Sequence, residues 1–470
     1  MGSIVKNNTY KSLIHNIKLS ISGTDLDFTE ITLGKAIFLL SVPMVLEMLM
    51  ESVFAVVDIY FVSSLGAGAV AVVGLTESLM TIVYAISIGL STATTAIVAR
   101  RIGEKSAKSA SIAAFQAILV GFSLSVVIGI LGIFFAEEIL LLMGAEPEIA
   151  VAYKSYTAII LGSNCVIMLL FIINAVFRSS GDAAISMRVL WLANLLNIFL
   201  DPMLIFGWGP FPELGITGAA IATTTGRGIA VIYQVILLFG GKRRIKMAGS
   251  DLKVQWQTMF TLIKLSMGGI GQTLIATSSW LGLVRIMAVF GSEALAGYTI
   301  AIRIILFILL PSWGLANAAS TMVGQNLGAG KPARAEKAVY ITGYLNMAFL
   351  GICSLAFLIF PRALIQIFIL DENVVSIGAL ILRTLSIGFI LYGLGMVMVQ
   401  ALNGAGDTYT PTLINFCCFW LFEIPLAYFL AINLGLEGYG VALAVVIAES
   451  IMTLVALMIF RRGRWKLRKI

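Results

Sequence analysis

The 470-residue chain is 59% hydrophobic and only 12% charged, with a mean hydropathy of +1.00. An ordinary soluble domain carries about 25% charged residues, so the composition excludes a soluble protein and predicts an all-α integral membrane protein. The net charge of +7 sits in short loops and at the C-terminus, which points to membrane topology and excludes a nucleic-acid-binding surface.

Residues 1–34 read as a polar cytoplasmic N-terminal segment with no apolar run, so no cleaved signal peptide is expected. Its His15 is the only histidine in the chain. A histidine-based metal centre or catalytic triad is therefore excluded, an enzyme is not expected, and no cofactor is implied. The first apolar run, from Ile37 to Val62, is long enough to cross a bilayer at about 1.5 Å per helical residue. It nevertheless carries Glu47, Glu51 and Asp58, at spacings of four and seven residues that place all three on one helical face. A carboxylate at bilayer depth costs roughly 2.5–3.5 kcal/mol on insertion scales. Such a stripe must face protein or a water-filled cavity, and an ion or proton path is the reading for Asp58. Glu47 and Glu51 also fit plain hydrogen bonding between helices.

Eleven further apolar segments follow, at 69–98, 111–135, 152–176, 185–208, 215–240, 259–290, 294–319, 338–360, 375–401, 411–432 and 438–460. The four cysteines, Cys165, Cys353, Cys417 and Cys418, fall in these runs and read as small core residues. Alternate loops are basic. Arg100, Arg101, Lys105 and Lys108 follow the second span, the linker 241–258 follows the sixth, and the tail 461–470 follows the twelfth. By the positive-inside rule both termini are cytoplasmic.

The chain also repeats. Asp182 in FRSSGD and Asp407 in LNGAGD differ by 225 positions, as do Gly103 and Gly328. We therefore expect twelve transmembrane helices in two pseudo-symmetric six-helix lobes, 35–240 and 259–460. They are related by an axis along the membrane normal, and a substrate path lies between them.

In the fifth span, Asn194, Asn197 and Asp201 recur at i, i+3 and i+7 on one face, and Pro202 follows, so a kink is expected there. With Asp58, and with Thr223 from the sixth span, they form a hard oxygen set that suits Na⁺ or a proton. The second half has Leu283 where the offset places the counterpart of Asp58, and Glu423 displaced by one position relative to its proline. It carries Arg285, Arg303 and Arg383 instead. Arg285 and Arg303 are candidates for neutralising acids across the cleft, with Glu47 and Glu51 as cavity or coupling support.

The VVDIYFVSSLG end of the first span, the FRSSGD and LNGAGDT loops, and NIFLDPMLIFG followed by GITGAAIAT resemble the multidrug and toxic compound extrusion (MATE) transporters. The resemblance covers about residues 35–460. It implies antiport: a Na⁺ or H⁺ gradient drives export of small organic, usually cationic, compounds. It implies Asp58, Asn197 and Asp201 as the N-lobe cation site, ligating the metal ion if the coupling is to Na⁺, with Thr223 beside them; Asn194 joins the set by its place on the same helical face. NorM-like members also carry acids in spans seven and ten. The matching stretches here, QTLIATSSWLG and FILYGLGMVMV, hold none, which is similar to the DinF-like branch. The expected setting is a prokaryotic cytoplasmic membrane, with the protein acting as a monomer among lipids. The competing reading is a flippase for lipid-linked sugars or polyisoprenoid precursors. The C-lobe arginines favour it and the N-lobe acids oppose it.

Overall fold

The computed structural model describes residues 14–24, 26–240 and 244–470, with the side chains at 55, 56, 58, 59, 63, 67 and 250 outside that description. Among the described residues there are helices and no strands. Twelve helices are long and apolar enough to cross a membrane. They are α1 (Leu33–Ser63), α2 (Ala67–Gly103), α3 (Ala107–Phe134), α4 (Pro147–Ser180), α5 (Ala183–Phe206), α6 (Gly215–Phe239), α7 (Trp256–Ala288), α8 (Ser292–Gly328), α9 (Pro332–Ile359), α10 (Glu372–Gly404), α11 (Tyr409–Asn433) and α12 (Glu437–Arg461).

α2 and α8 run past the apolar segments that predict them. Their last turns pack between helices rather than against lipid. There Arg100 donates to the Ala405 carbonyl at 3.3 Å and Gln325 to the Ser179 carbonyl at 2.8 Å, so polar residues continue the helix without an unsatisfied group. Two short helices, Ala136–Leu142 and Pro361–Gln366, fill corresponding loops at the opposite end. α5 continues through Pro202 to Phe206. α11 differs, being π-helical over Phe416–Glu423 and Phe429–Asn433. A π turn takes up one extra residue without breaking a helix, which accommodates the extra residue between Glu423 and Pro425.

Helix packing repeats every six elements. α2 packs on α4 as α8 does on α10, α3 on α4 as α9 on α10, α1 on α5 as α7 on α11, and α5 on α6 as α11 on α12. The lobes α1–α6 and α7–α12 therefore share one internal arrangement. They meet through α1 on α8 and α2 on α7. Small residues allow this. A side chain at Gly89 of α2 would strike the backbone of α7 at Ser266 and Ile270, and one at Gly314 of α8 would strike the Met44 carbonyl of α1. Close backbone approach of this kind is the main source of helix association in lipid, where burial of apolar surface drives little. Side chains such as Phe134, Ile352 and Leu355 expose more than half their surface on the outer faces, as lipid contact requires.

The start of α1 and the end of α12 lie with the basic loops, at what we call the basic end. Residues 26–31 form a strap: Lys331 donates to the Thr29 carbonyl at 3.0 Å, and Lys105 pairs with Glu30 at 3.0 Å. Residues 244–255 run along α3, where the Ser111 hydroxyl donates to the Lys246 carbonyl at 2.8 Å. At the C-terminus Trp465 stacks on Phe460 with ring centroids 4.7 Å apart, and Arg101 donates to the Ile470 carbonyl at 3.1 Å. The FRSSGD and LNGAGD loops turn at Gly181 and Gly406, with φ of 100° and 85°, a conformation that glycine adopts without strain.

Candidate functional site

The four-residue spacing of Glu47 and Glu51 on α1 sets both acids on the face turned toward the rest of the N-lobe. The last turn of α4 supplies Arg178, whose guanidinium lies 2.6 Å from the Glu47 carboxylate, a side chain only 1% exposed. The middle of α6 supplies Arg227, 3.6 Å from Glu51. Arg227 also donates to the Tyr84 hydroxyl at 3.3 Å and lies over the Phe54 ring at 5.1 Å. A planar guanidinium suits such pairing and stacking. These four charged residues line a cavity of about 270 Å³, together with Tyr84 and Asn174. The acids are thus countered from within their own lobe. Arg285 and Arg303, the partners expected from the sequence, are exposed and line neither this cavity nor the one described below.

A second polar group lies where α5 meets α6. A side chain at Gly226 would strike the Ala193 carbonyl at 2.8 Å, so the glycine lets the two helices close and brings Thr223 to Asn197. The Asn197 amide donates to the Thr223 hydroxyl at 3.0 Å and to the Asp201 carboxylate at 3.2 Å. Asn197 is 1% exposed and Asp201 fully buried. Asn194, one turn away, donates to the Glu51 carboxylate at 3.3 Å and to the Met50 carbonyl at 3.4 Å. It sets a donor to the cavity's Glu51 one turn from this group. The carbonyl oxygens of Asn194 and Asn197 accept no hydrogen bond among the described residues. Buried oxygen acceptors beside a carboxylate fit a proton or a hard cation such as Na⁺. The side chain of Asp58 lies outside the described residues; its backbone sits in α1, two helical turns beyond Glu51.

The C-lobe is not the mirror of this. Gln272 of α7 and Asn403 of α10 exchange amide hydrogen bonds of 3.0 and 3.1 Å. Glu423 of α11 and Glu449 of α12 instead line a larger cavity of about 420 Å³. Sequence reasoning noted Glu423 without assigning it a role and passed over Glu449 and Arg227. Each of the latter two is a lone charge in the middle of an apolar span, the signal that would have found it.

The MatE family model matches this chain twice, over residues 43–203 and 270–429, once in each lobe. A probable multidrug resistance protein NorM of Thermotoga maritima is 25% identical over 439 residues, spanning 93% of this chain and 94% of the relative. The multidrug export protein MepA of Staphylococcus saprophyticus is 24% identical, spanning 92% of this chain and 94% of its own length. A solved structure described as the outward-facing conformation of a multidrug resistance MATE family transporter of the MOP superfamily superposes with a TM-score of 0.89. Its identity is 22%, over 95% of this chain and 98% of that one.

Proposed function

The chain belongs to the MatE family, and on that premise we propose that it is a secondary active antiporter exporting organic cations in exchange for H⁺ or Na⁺. The observation that carries the reading is the buried Asn197–Asp201–Thr223 group, with Asn194 one turn away donating to Glu51 of the charged N-lobe cavity. The Asp201 carboxylate is fully buried, away from water. Binding a proton or Na⁺ at Asp201, with Asp58 as its expected partner, removes a full charge from the lobe. That changes which packing of α5 and α6 is favoured, and hence the affinity for cargo. Ion binding and cargo binding are thereby linked thermodynamically.

The basic end is taken as cytoplasmic by the positive-inside rule, which places both termini inside the cell. The close lobe-to-lobe approaches at Gly89 and Gly314 lie toward that end, in keeping with an outward-facing form. Both cavities lie within one chain, which supports a monomer as the working unit. The flippase reading loses its support. Arg285, Arg303 and Arg383 are exposed and line neither cavity, and the arginines that do line one, Arg178 and Arg227, each face a glutamate.

The test is ethidium efflux from proteoliposomes under an imposed Na⁺ gradient and then an imposed pH gradient, for wild type, Asp58→Asn and Asp201→Asn. Efflux driven by one gradient and abolished in both variants is expected. Export against a gradient that persists in correctly inserted Asp201→Asn would overturn the N-lobe assignment.

A further inference from the structure

The two lobes differ in how they treat intramembrane charge. In the N-lobe cavity each glutamate faces an arginine. In the larger C-lobe cavity Glu423 and Glu449 have no cationic partner among the described residues, and no lysine or arginine lines the chamber. Glu423 is 4% exposed, and the Ser279 hydroxyl lies within reach of its carboxylate. It closes the π-helical stretch Phe416–Glu423, and π turns concentrate at functional positions because they re-aim a side chain. No donor among the described residues hydrogen-bonds the Glu449 carboxylate, and Glu449 lines the cavity. The two carboxylates are near enough to act on each other electrostatically. Repulsion and desolvation together disfavour two ionised acids in a bilayer span unless a proton or another cation neutralises them.

The walls between the acids are aromatic. Trp280, Tyr298, Trp313, Phe389, Tyr392 and Phe419 line the chamber. Ring faces attract a diffuse cation, most strongly when it is desolvated. A small hydrated ion uses none of that surface; a bulky organic cation uses all of it.

We propose that the C-lobe chamber binds the transported cargo, a lipophilic organic cation whose charge lies between Glu423 and Glu449 and whose apolar arms rest on the aromatic walls. This rests on the antiporter reading above and adds a division of labour, with the ion held in the N-lobe and the cargo in the C-lobe. Trp313, Leu310 and Gln400 of the C-lobe, with Ile88 and Thr92 of α2, border both chambers. A cargo seated in one chamber therefore meets the wall of the other.

The test is equilibrium binding of radiolabelled tetraphenylphosphonium to the purified full-length protein in detergent, without any gradient. Glu423→Gln and Glu449→Gln are each expected to weaken binding by about tenfold or more, and Trp280→Ala by a few-fold. Glu449→Asp, which keeps the charge, should stay close to wild type and guards against reading a misfolded variant as a lost site. Asp201→Asn should still bind while losing gradient-driven export. Wild-type affinity in both glutamine variants would overturn this proposal alone. A wild-type protein that binds no tetraphenylphosphonium would overturn both this proposal and the organic-cation reading beneath it.

Discussion

Gly103 at the end of α2 and Gly328 at the end of α8 press against each other's helices across the lobe boundary. A side chain at Gly103 would collide with the Gln325 carbonyl, and one at Gly328 with the Arg100 carbonyl. Arg100 and Gln325 are themselves equivalent positions in the two halves, each three residues before its glycine. The contact is therefore a reciprocal clasp that holds the lobes together at the basic end.

Gly103→Leu or Gly328→Leu should overpack this clasp by about 1–3 kcal/mol and favour the form that is open at the basic end. Spin labels at Lys108→Cys and Lys337→Cys, both exposed positions, read the change as a longer mean distance between the lobes. An unaltered distance distribution would show that the clasp does not govern closure.

The Glu47–Arg178 pair is the most enclosed ion pair among the described residues, with side-chain exposures of 1% and 12%. Arg178→Met leaves a buried carboxylate without its counter-charge and should lower stability by about 3–5 kcal/mol. The double variant Glu47→Leu/Arg178→Met removes both charges and should recover most of the loss. Thermal unfolding in detergent measures both. A double variant no more stable than Arg178→Met would mean that the two charges are not energetically coupled.

The N-terminal strap should depend on pH at both extremes. Burial pushes the Asp27 carboxyl up, but hydrogen bonds from the Thr29 hydroxyl and amide, with Lys105 and Arg244 nearby, outweigh it and hold the group below its ordinary value. Lys105 is held above its ordinary value by its hydrogen bond to Glu30, by the charge of Glu30 and by that of Asp27. A depressed carboxyl stabilises above its ordinary pKa of about 3.9, and that contribution is lost as pH falls through the folded value. A raised lysine stabilises below about 10.4, and that contribution is lost as pH rises through the folded value. Hydrogen exchange over residues 26–31 should therefore be slowest, relative to intrinsic rates, between about pH 5 and pH 10. Lys105→Asn, which tolerates the φ of 59° at that position, should remove the alkaline limb. An alkaline limb that survives the substitution would assign it to another group.

Much of the candidate site is legible from one helix at a time. Asn194, Asn197 and Asp201 share a face of α5 by spacing alone, and the structure hydrogen-bonds Asn197 to Asp201 at 3.2 Å. The contact to Thr223 needs a second helix and the glycine that lets it approach. The pairing of Glu47 with Arg178 joins residues 131 positions apart, and no local spacing encodes it.

By itself the sequence determined the membrane class, the twelve spans and the two-lobe repeat, because length, hydropathy and a constant offset are properties of the chain read along its own axis. Only the tertiary structure decided which charges meet. A soluble helix has one apolar stripe that reveals its inward face, but a helix set in lipid is apolar almost all round. Its rotation about its own axis is then set by small-residue contacts with neighbours such as Gly226 and Gly314. That rotation leaves Arg285 and Arg303 exposed outside both cavities, turns Arg227 inward to Glu51, and brings Glu423 and Glu449 to one cavity.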